Sequence, residues 1–316
     1  MLHEFKASPE TIHWGYYDAA VEPALRIKEA DSVTVETVSL PLMYSDLTSL
    51  GLDEEKIPKD FRRIYSEVRE RGPGPHILTG PILVEGAEPR DVLEVEIKKI
   101  ELPLPFGYNT IRPSSGTIPE DFPYSNLKII RFDLESRMAN FSKDIKISLR
   151  PFFGSMGVAP PQSIGRISSR PPGFHGGNLD NKELVEGSKL YLPIHAKGAL
   201  FSIGDGHALQ GDGEVNSTAV ETSMRGTLQF KIRRDLDMRW PLGETQTHII
   251  SMGFHEDLDE AARMALRNMI DYLTINKGLD RDEAYTLSSI AVDFHITQTV
   301  NRVKGVHGLL PKDIFT

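Results

Sequence analysis

The chain has no cysteine among its 316 residues. Disulfides, zinc–thiolate sites and thiol nucleophiles are therefore excluded. Any metal must be bound by His, Asp, Glu, Asn, backbone carbonyl groups or water. Positively charged residues are also fewer than negatively charged ones. The chain has 36 Lys and Arg against 45 Asp and Glu, which gives a net charge of −9. Since neither nucleic acid nor an anionic membrane attracts net negative charge, we expect neither as a partner.

Long apolar runs are missing as well. The N-terminal sequence MLHEFKASPETIH has no apolar core of a signal peptide. The longest apolar runs fall far short of the roughly 20 residues that span a bilayer. With 39% apolar and 26% charged residues, the composition is that of a globular protein. We therefore expect a soluble, cytoplasmic protein.

Several motifs of well-known enzyme classes are absent too. No G-x-G-x-x-G opens a helix after a strand, and there is no Walker lysine. No G-x-S-x-G nucleophile elbow occurs, and neither does the Gly-Ser-Ser-Ser-Gly signature of the amidase-signature hydrolases. These absences argue against nucleotide binding of the common kinds and against those serine hydrolases.

Most of the chain has the pattern of β structure. Apolar and polar residues alternate in 32–39, 82–85 and 92–97, which predicts half-buried strands. The Pro- and Gly-rich stretches 102–126 and 157–177 predict long loops, which in compact proteins are often functional. Further strands are predicted at 145–153, 190–194, 199–203, 227–232 and 294–300.

Helices are predicted mainly near the C-terminus. Asp257 and Asp280 each precede a Glu by three residues, a capping-box pattern that predicts helices over 257–276 and 280–292. A third, short helix is predicted in the charged segment 52–71. The fold class is therefore mainly β, sandwich- or barrel-like, with a C-terminal α+β part, and α+β overall.

This pattern divides the chain into two parts. Residues 1–235 form the predicted β-rich domain, and 236–316 form an α+β part packed on it. Both predicted C-terminal helices carry an apolar stripe that could face a partner. Because two-fold dimers are the commonest closed assemblies, we expect a homo-oligomer, most simply a dimer.

The densest group of ionisable residues lies in the segment 204–215, GDGHALQGDGEV. If 208–211 is a tight turn between two strands, His207 faces Asp212 and Asp205 faces Glu214. Residues two apart on a strand share a face, so all four side chains would converge on one side of a hairpin. Such a set can hold a divalent metal or divide into acid and base. The alternative is a solvated, glycine-rich turn. Glu221, seven residues beyond Glu214, is expected on the opposite face.

Other candidates are weaker when taken alone. His76 follows a Gly-Pro loop, and a lone histidine is more often structural than catalytic. Gly177, Asn178 and Asp180 belong to the segment GGNLD, whose polar side chains could instead cap a helix or a turn.

Several segments together resemble the acetamidase/formamidase family. The matching pieces are LTGPI (78–82), GAEP (86–89), GVAP (157–160), GGNLD (176–180), LYLP (190–193), GALFSIGDGHALQGDGEV (198–215), Leu279 with Glu283-Ala284, and LPKDIF (310–315). The resemblance implies a β-rich sandwich- or barrel-like fold with an added α+β part. It also implies hydrolysis of the C–N bond of a small linear amide, such as formamide or acetamide, and an association with zinc or calcium.

For such a reaction we assign the following roles, which the sequence leaves interchangeable within the set Asp205, His207, Asp212 and Glu214. Asp205, His207 and Glu214 would hold a divalent metal, zinc in the first place and calcium as the alternative, which would activate a water. Asp212 would be the general base and later the acid, with Glu214 taking the role of the base in a metal-free variant. His76 would orient the substrate or complete the metal shell. Asn178 and the backbone of 176–180, including Gly177 and Asp180, would bind the substrate oxygen.

Two functions from other classes stay open at this stage. One is a β-sandwich that binds a metal or a carbohydrate without turnover, its carboxylates holding calcium. The other is a cupin-like metal oxidoreductase, although the paired His-x-His spacing of such sites is absent.

Overall fold

The computed structural model describes residues 1–39 and 59–315. Strands make up 40% of the structure and helices 14%, in several sheets. The predicted fold class, mainly β with a C-terminal α+β part, is confirmed. Within the described ranges, no helix is long and apolar enough to cross a membrane.

The described residues form 21 strands, three helices and a 3₁₀ turn. The strands are Leu2–Phe5 (β1), Ile12–Trp14 (β2), Tyr16–Tyr17 (β3), Leu25–Ile27 (β4), Ser32–Thr37 (β5), Ile77–Val84 (β6), Val92–Glu101 (β7), Phe106–Ile111 (β8), Asn126–Asp133 (β9), Met138–Asn140 (β10), Lys146–Ser148 (β11), Phe152–Gly157 (β12), Ile167–Ser168 (β13), Gly176–Asn178 (β14), Lys189–Pro193 (β15), Phe201–His207 (β16), Met224–Arg233 (β17), Leu242–Glu244 (β18), His248–His255 (β19), Asp293–Gln298 (β20) and Lys304–Pro311 (β21). The helices are Lys59–Glu67 (α1), Leu258–Lys277 (α2) and Arg281–Ala291 (α3), and a 3₁₀ turn covers Lys312–Ile314.

Two large sheets form the body of the protein. One has nine strands in the order β1-β5-β17-β7-β15-β18-β19-β21-β20, and the other has the order β14-β12-β16-β6-β2, with β4 also paired to β6. Apolar side chains of both sheets meet in the largest core cluster, among them Val95, Phe230, Ile82, Met156 and Ile203. The two sheets are thus packed face to face, as in a β-sandwich.

The large sheet continues across the predicted boundary at residue 235. Strand β15, from the N-terminal part, pairs with β18, which comes after that boundary. The division into two domains stays a prediction, since one sheet includes strands from both sides of it.

The C-terminal helices confirm the expected pattern. The Asp257 side chain accepts a hydrogen bond from the backbone N–H of Glu260, and Asp280 forms a complete capping box with Glu283. Helix α2 ends at Gly278, whose φ of 71° is the left-handed conformation that glycine adopts readily. The two helices cover an apolar cluster on the C-terminal half of the nine-stranded sheet.

Two other predictions need correction or limits. The region 102–126, predicted as a loop, contains strand β8, which starts a four-stranded sheet of order β8-β9-β10-β11. The prolines of this region lie on both sides of β8 and not within it. In the segment 52–71, where a short helix was predicted, residues 59–67 form α1 and residues 68–71 are not helical, whereas residues 52–58 lie outside the described residues.

Candidate active site

Five ionisable side chains converge at one end of the six-stranded sheet. They are Asp180, Asp205, His207, Glu214 and Glu221, named here the acidic cluster. Ligand atoms of Asp180, Asp205 and His207 all lie within 4.8 Å of one another, and so do those of His207, Glu214 and Glu221. Each of these side chains is buried except that of Asp205, which is 11% exposed. Since buried charges require partners, this density of carboxyl groups indicates a functional site.

Strand β16 supplies the centre of the cluster. It is hydrogen-bonded to β12 on one side and to β6 on the other, which fixes the positions of Asp205 and His207. Glycines allow this close packing, because a Cβ at Gly204 would lie 2.3 Å from the Ile77 carbonyl oxygen. The His207 ring also packs edge-on against Phe152, with ring centroids 5.1 Å apart.

The predicted tight hairpin at 208–211 is wrong. The backbone N–H of Ala208 donates to the Val220 carbonyl at 2.8 Å, and that of Thr222 donates to the Gly206 carbonyl at 2.7 Å. His207 therefore pairs with Glu221 across the sheet. The loop between the two paired segments is much longer than the predicted turn.

The physical reason lies in what the loop residues contact instead. The Gly213 N–H donates to the Thr297 carbonyl at 3.1 Å, so this part of the loop pairs at the end of β20 and not with β16. Val220 is buried in an apolar cluster with Ala208 and Phe132. Pairing of the two apolar ends, Ala208-Leu209 and Ala219-Val220, sets the register.

Glu221 is the site residue that sequence reasoning missed. Its Oε2 lies 3.2 Å from Nε2 of His207, although it was expected on the opposite face. The apolar pairs on either side of the polar stretch 210–218 were the signal that a longer loop brings Glu221 opposite His207. The prediction placed the turn at 208–211, and this position of the turn does not allow Ala208 and Leu209 to pair with a later segment.

Asp212 does not take the predicted position beside His207. Its carboxylate forms an ion pair with Lys182, at 2.8 Å, and lies 3.3 Å from Nδ1 of His295. It lies outside both groups that could hold a metal within the described residues. Glu221, and not Asp212, therefore faces the imidazole.

The space at the centre of the cluster depends on Gly154. A Cβ added there would lie 2.7 Å from Asp205 Oδ2, 2.8 Å from Asp180 Oδ1 and 2.8 Å from His207 Cε1. Such distances are far below van der Waals contact. Gly154, on β12, thus lets these three side chains approach one another.

The tautomer of His207 is set by Gln210. The Gln210 amide nitrogen donates to the backbone carbonyl of Asp180 at 2.7 Å, so its Oε1 must be the atom that lies 2.9 Å from His207 Nδ1. Nδ1 therefore carries a hydrogen and donates it. In the neutral imidazole, Nε2 then holds a lone pair aimed at the carboxylates.

Several cluster atoms lack any hydrogen-bond partner. They include His207 Nε2, Glu221 Oε2, Glu214 Oε2 and Asp180 Oδ1. His207 Nε2 lies 3.3 Å from Asp205 Oδ2 and 3.2 Å from Glu221 Oε2, but neither contact has hydrogen-bond geometry. Buried polar atoms without partners are costly, and a shared cation would satisfy them.

Asp180 is held from outside the cluster. Its Oδ2 accepts a hydrogen bond from the Asn301 amide at 2.6 Å, while Oδ1 stays without a partner. Asp180, Asp205 and Glu214 also have positive φ values of 49°, 58° and 41°. Non-glycine residues rarely adopt this conformation, and such strain concentrates at functional sites.

Electrostatics in the cluster follow from burial and from its one imidazole. Burial raises the pKa of Glu214 to about 8, and the carboxyl groups of Glu221 and Asp205 add to that effect. Burial likewise raises the pKa values of Asp180 and Glu221. Burial works against a charged His207, but Glu221 and Asp205 outweigh it and raise its pKa. Burial thus disfavours the ionised forms of Asp180, Glu214 and Glu221, and a positive ion among these carboxyl groups would stabilise their ionised forms.

The remaining predicted residues surround the cluster. His76 Nε2 lies 3.7 Å from Asp205 Oδ2, and its Nδ1 lies 2.9 Å from the Ser169 carbonyl oxygen. Burial lowers the pKa of His76, which favours its neutral form. The Asn178 side chain accepts a hydrogen bond from Ser155 Oγ, and Gly177 packs against His175. His76 thus lies beside the cluster, whereas the Asn178 amide oxygen is engaged by Ser155.

A family of known proteins matches nearly the whole chain. The model of the acetamidase/formamidase family matches residues 4–170 and 166–316. The chain belongs to the acetamidase/formamidase family. The resemblance stated from the sequence is thereby confirmed.

Solved structures of this family type share the fold over the whole chain. The crystal structure of a predicted acetamidase/formamidase from Thermoanaerobacter tengcongensis has a TM-score of 0.85 and 28% identity, covering 99% of this chain and 97% of that one. An acetamidase from Bacillus halodurans has a TM-score of 0.83 and 30% identity, covering 99% and 98%. The similarity of fold therefore extends over nearly the whole chain.

Curated relatives match over a shorter stretch. A formamidase from Methylophilus methylotrophus is 27% identical over 209 residues, which are 50% of this chain and 51% of that protein. The chain spans about half the length of the curated relatives it matches.

Proposed function

We propose that this acetamidase/formamidase family protein hydrolyses the C–N bond of a linear amide, producing ammonia and a carboxylate at the acidic cluster. The observation that carries this proposal is the placement of two carboxyl groups, Glu214 and Glu221, within 4.8 Å of the imidazole of His207 in a buried site. Amides are weak electrophiles, so hydrolysis requires an activated water and a proton for the nitrogen.

Glu214 is proposed as the group that moves the proton. Its Oε2 is buried and without a partner, and its pKa of about 8 lies close to neutrality. A carboxyl group in that range can accept a proton from the attacking water and return it to the departing nitrogen. The water oxygen then forms the new bond to the carbonyl carbon, the C–N bond breaks, and ammonia leaves.

We propose that Asp180, Asp205 and His207 hold a divalent metal, zinc in the first place and calcium as the alternative. Their donor atoms are close together, and the free Oδ1 of Asp180 and free Nε2 of His207 fit such an ion. A bound metal would lower the pKa of a water and polarise the amide carbonyl. His76 would position the substrate beside Asp205.

Amide turnover is tested by ammonia release from formamide, acetamide and propionamide, with and without a chelator. We expect activity that the chelator removes and that added zinc restores. His207→Ala should reduce turnover at least about a hundredfold, since each 1.36 kcal/mol of transition-state stabilisation is tenfold in rate. The control is His248→Ala, because His248 contacts Thr247 outside the cluster. Equal activity of both variants would refute the proposal.

Two further expectations from the sequence, on cellular location and on oligomeric state, belong to this proposal. The protein is expected to act in the cytoplasm and as a homo-oligomer, most simply a dimer. Sedimentation should show a species of twice the chain mass of 35.3 kDa. A single species at the chain mass would exclude the dimer.

A further inference from the structure

Three arginines beside the acidic cluster have no partner of opposite charge. They are Arg112, Arg170 and Arg302, named here the arginine group. Within the described ranges, none of their side chains forms a hydrogen bond or an ion pair. Arg166 and Arg233, by contrast, each pair with two carboxylates. In a chain of net charge −9, unpaired cations that lie together indicate a binding site for an anion.

Arg170 is connected to the acidic cluster through His76. It follows Ser169, whose carbonyl oxygen lies 2.9 Å from His76 Nδ1 and whose Oγ lies 3.0 Å from the same atom. The other ring nitrogen of His76 lies 3.7 Å from Asp205 Oδ2. The segment that carries Arg170 therefore lies against the same imidazole that borders the cluster.

Two other segments bring Arg302 and Arg112 to the cluster. Arg302 follows Asn301, whose amide donates a hydrogen bond to Asp180 Oδ2 at 2.6 Å. Arg112 comes directly after β8, a strand whose backbone forms two hydrogen bonds with that of Glu221, at 2.8 and 2.9 Å. Three separate parts of the chain thus meet around the cluster, and each of them carries one arginine.

The charges of the three guanidinium groups act on one another. Burial lowers the pKa of the half-buried Arg170, and the positive charges of Arg112 and Arg302 lower it further. Burial is also the main cause of the lowered pKa of His76, to which the charge of Arg170 contributes. Because Coulomb interactions weaken with distance, these effects require the arginines to lie near one another and Arg170 to lie near His76. An anion bound among them would relieve their mutual repulsion.

A carboxylate on the substrate fits such a group. The planar guanidinium presents its N–H donors in a fork that matches the two oxygens of a carboxylate. A small linear amide has two ends, and the acidic cluster engages only the amide. The arginine group is placed to engage the other end when that end is negatively charged.

We infer that the arginine group binds a carboxylate of the substrate, and that the enzyme takes monoamides of short dicarboxylic acids, of which succinamate is an example. The amide would lie at the acidic cluster and the carboxylate at Arg170. Hydrolysis would consume one water, break the C–N bond and give succinate and ammonia. This inference rests on the proposed function for turnover of the amide, but not for binding of the carboxylate.

Calorimetric binding of succinamate and succinamide tests the inference. The two molecules have nearly the same shape and differ in charge, because a second amide replaces the carboxylate in succinamide. The protein carries Glu221→Gln throughout, so that turnover is slow during the titration. Succinamate should bind at least about tenfold more tightly than succinamide, which corresponds to about 1.4 kcal/mol. Raising NaCl from about 0.1 M to about 1 M shortens the Debye length from about 10 Å to about 3 Å and should reduce this preference.

Two matched variants locate the carboxylate. Arg170 belongs to the arginine group, whereas Arg267 is exposed on α2 and, within the same ranges, also has no ion pair. Arg170→Gln should lower succinamate affinity about tenfold and leave that of succinamide within a factor of two. Arg267→Gln should change neither. If Arg170→Gln does not fold, Arg112→Gln and Arg302→Gln at exposed positions replace it, each with an expected loss of about threefold.

Equal affinity for succinamate and succinamide, or equal losses in Arg170→Gln and Arg267→Gln, would overturn the inference. Ammonia release from succinamate and from acetamide by the unmodified protein is measured separately. Binding of succinamate through Arg170 without ammonia from either amide would support the carboxylate site and contradict the proposed function. Ammonia from acetamide, together with no preference for succinamate over succinamide, would support the proposed function and contradict the carboxylate site.

Discussion

Gln210 joins His207 to the backbone of Asp180. Its Oε1 accepts the Nδ1 hydrogen of His207, and its Nε2 donates to the Asp180 carbonyl. One side chain thus connects two parts of the acidic cluster that are 27 residues apart in the sequence. Groups of this kind orient the residues that touch a metal or substrate, and their loss typically costs about 10- to 100-fold in activity or metal affinity.

Gln210→Ala is expected to lower kcat about 10- to 100-fold, because His207 loses the acceptor that fixes its tautomer. Gln210→Glu keeps an acceptor but loses the donor to Asp180, so it should recover part of the activity. Steady-state amide hydrolysis and zinc affinity are the measurements. The control is Gln162→Ala at an exposed position. Full activity of Gln210→Ala would show that Gln210 is not a positioning residue.

Glu221→Gln and Asp212→Asn form a second matched pair. Both changes remove one charge and keep the size of the side chain. Glu221 faces His207 Nε2, whereas Asp212 is paired with Lys182 and lies beside His295. We expect Glu221→Gln to lower turnover at least about 30-fold, which corresponds to about 2 kcal/mol of activation free energy. The turnover of Asp212→Asn should stay within threefold of that of the unmodified protein, which corresponds to less than about 1 kcal/mol. A larger loss of turnover in Asp212→Asn than in Glu221→Gln would contradict this site and support the hairpin predicted from the sequence.

Local signals account for what the sequence predicted well. Helices α2 and α3 were predicted within one residue at their ends, because Asp257, Asp280 and Gly278 act on the turns next to them. The strands β5 and β7 follow from simple alternation of apolar and polar residues. None of these features needs knowledge of a distant segment.

The site depends on pairings that the sequence does not encode locally. His207 and Asp205 were predicted together because they are two residues apart on one strand. Glu221 lies opposite His207 only because Ala208 pairs with Val220, which is distant in the sequence. Gly213 does not pair with β16, because it pairs with Thr297 instead. A shift of register moves side chains to other partners, so the choice between Asp212 and Glu221 required the fold.

Gly154→Ala is expected to disrupt the cluster without a change of charge. The new methyl group would lie 2.7–2.8 Å from atoms of Asp205, Asp180 and His207, so at least one of them must move. We expect at least about a tenfold loss of zinc affinity, measured by calorimetry, since the donor atoms no longer converge.

Gly211→Ala is the control, because a Cβ there has no atom within 4 Å. Its zinc affinity and activity should match those of the unmodified protein. If Gly154→Ala bound zinc and turned over amides equally well, the centre of the acidic cluster would not be the place where the ion binds.

The last prediction concerns acid stability and His13. Burial lowers the pKa of His13 from 6.5 to about 4, and its Nε2 lies 2.8 Å from Ser202 Oγ. Between these two pH values the unfolded chain binds a proton that the folded protein does not, so the free energy of unfolding falls as pH decreases from about 6.5 towards 4. The loss from His13 should be about 3 kcal/mol at most, from 1.36 kcal/mol for each pKa unit. Urea unfolding at pH 7.5 and pH 4.5 measures it. His13→Gln, which has no charged form, should reduce the difference between the two pH values by about that amount. An unchanged difference would show that another group is responsible for the acid sensitivity.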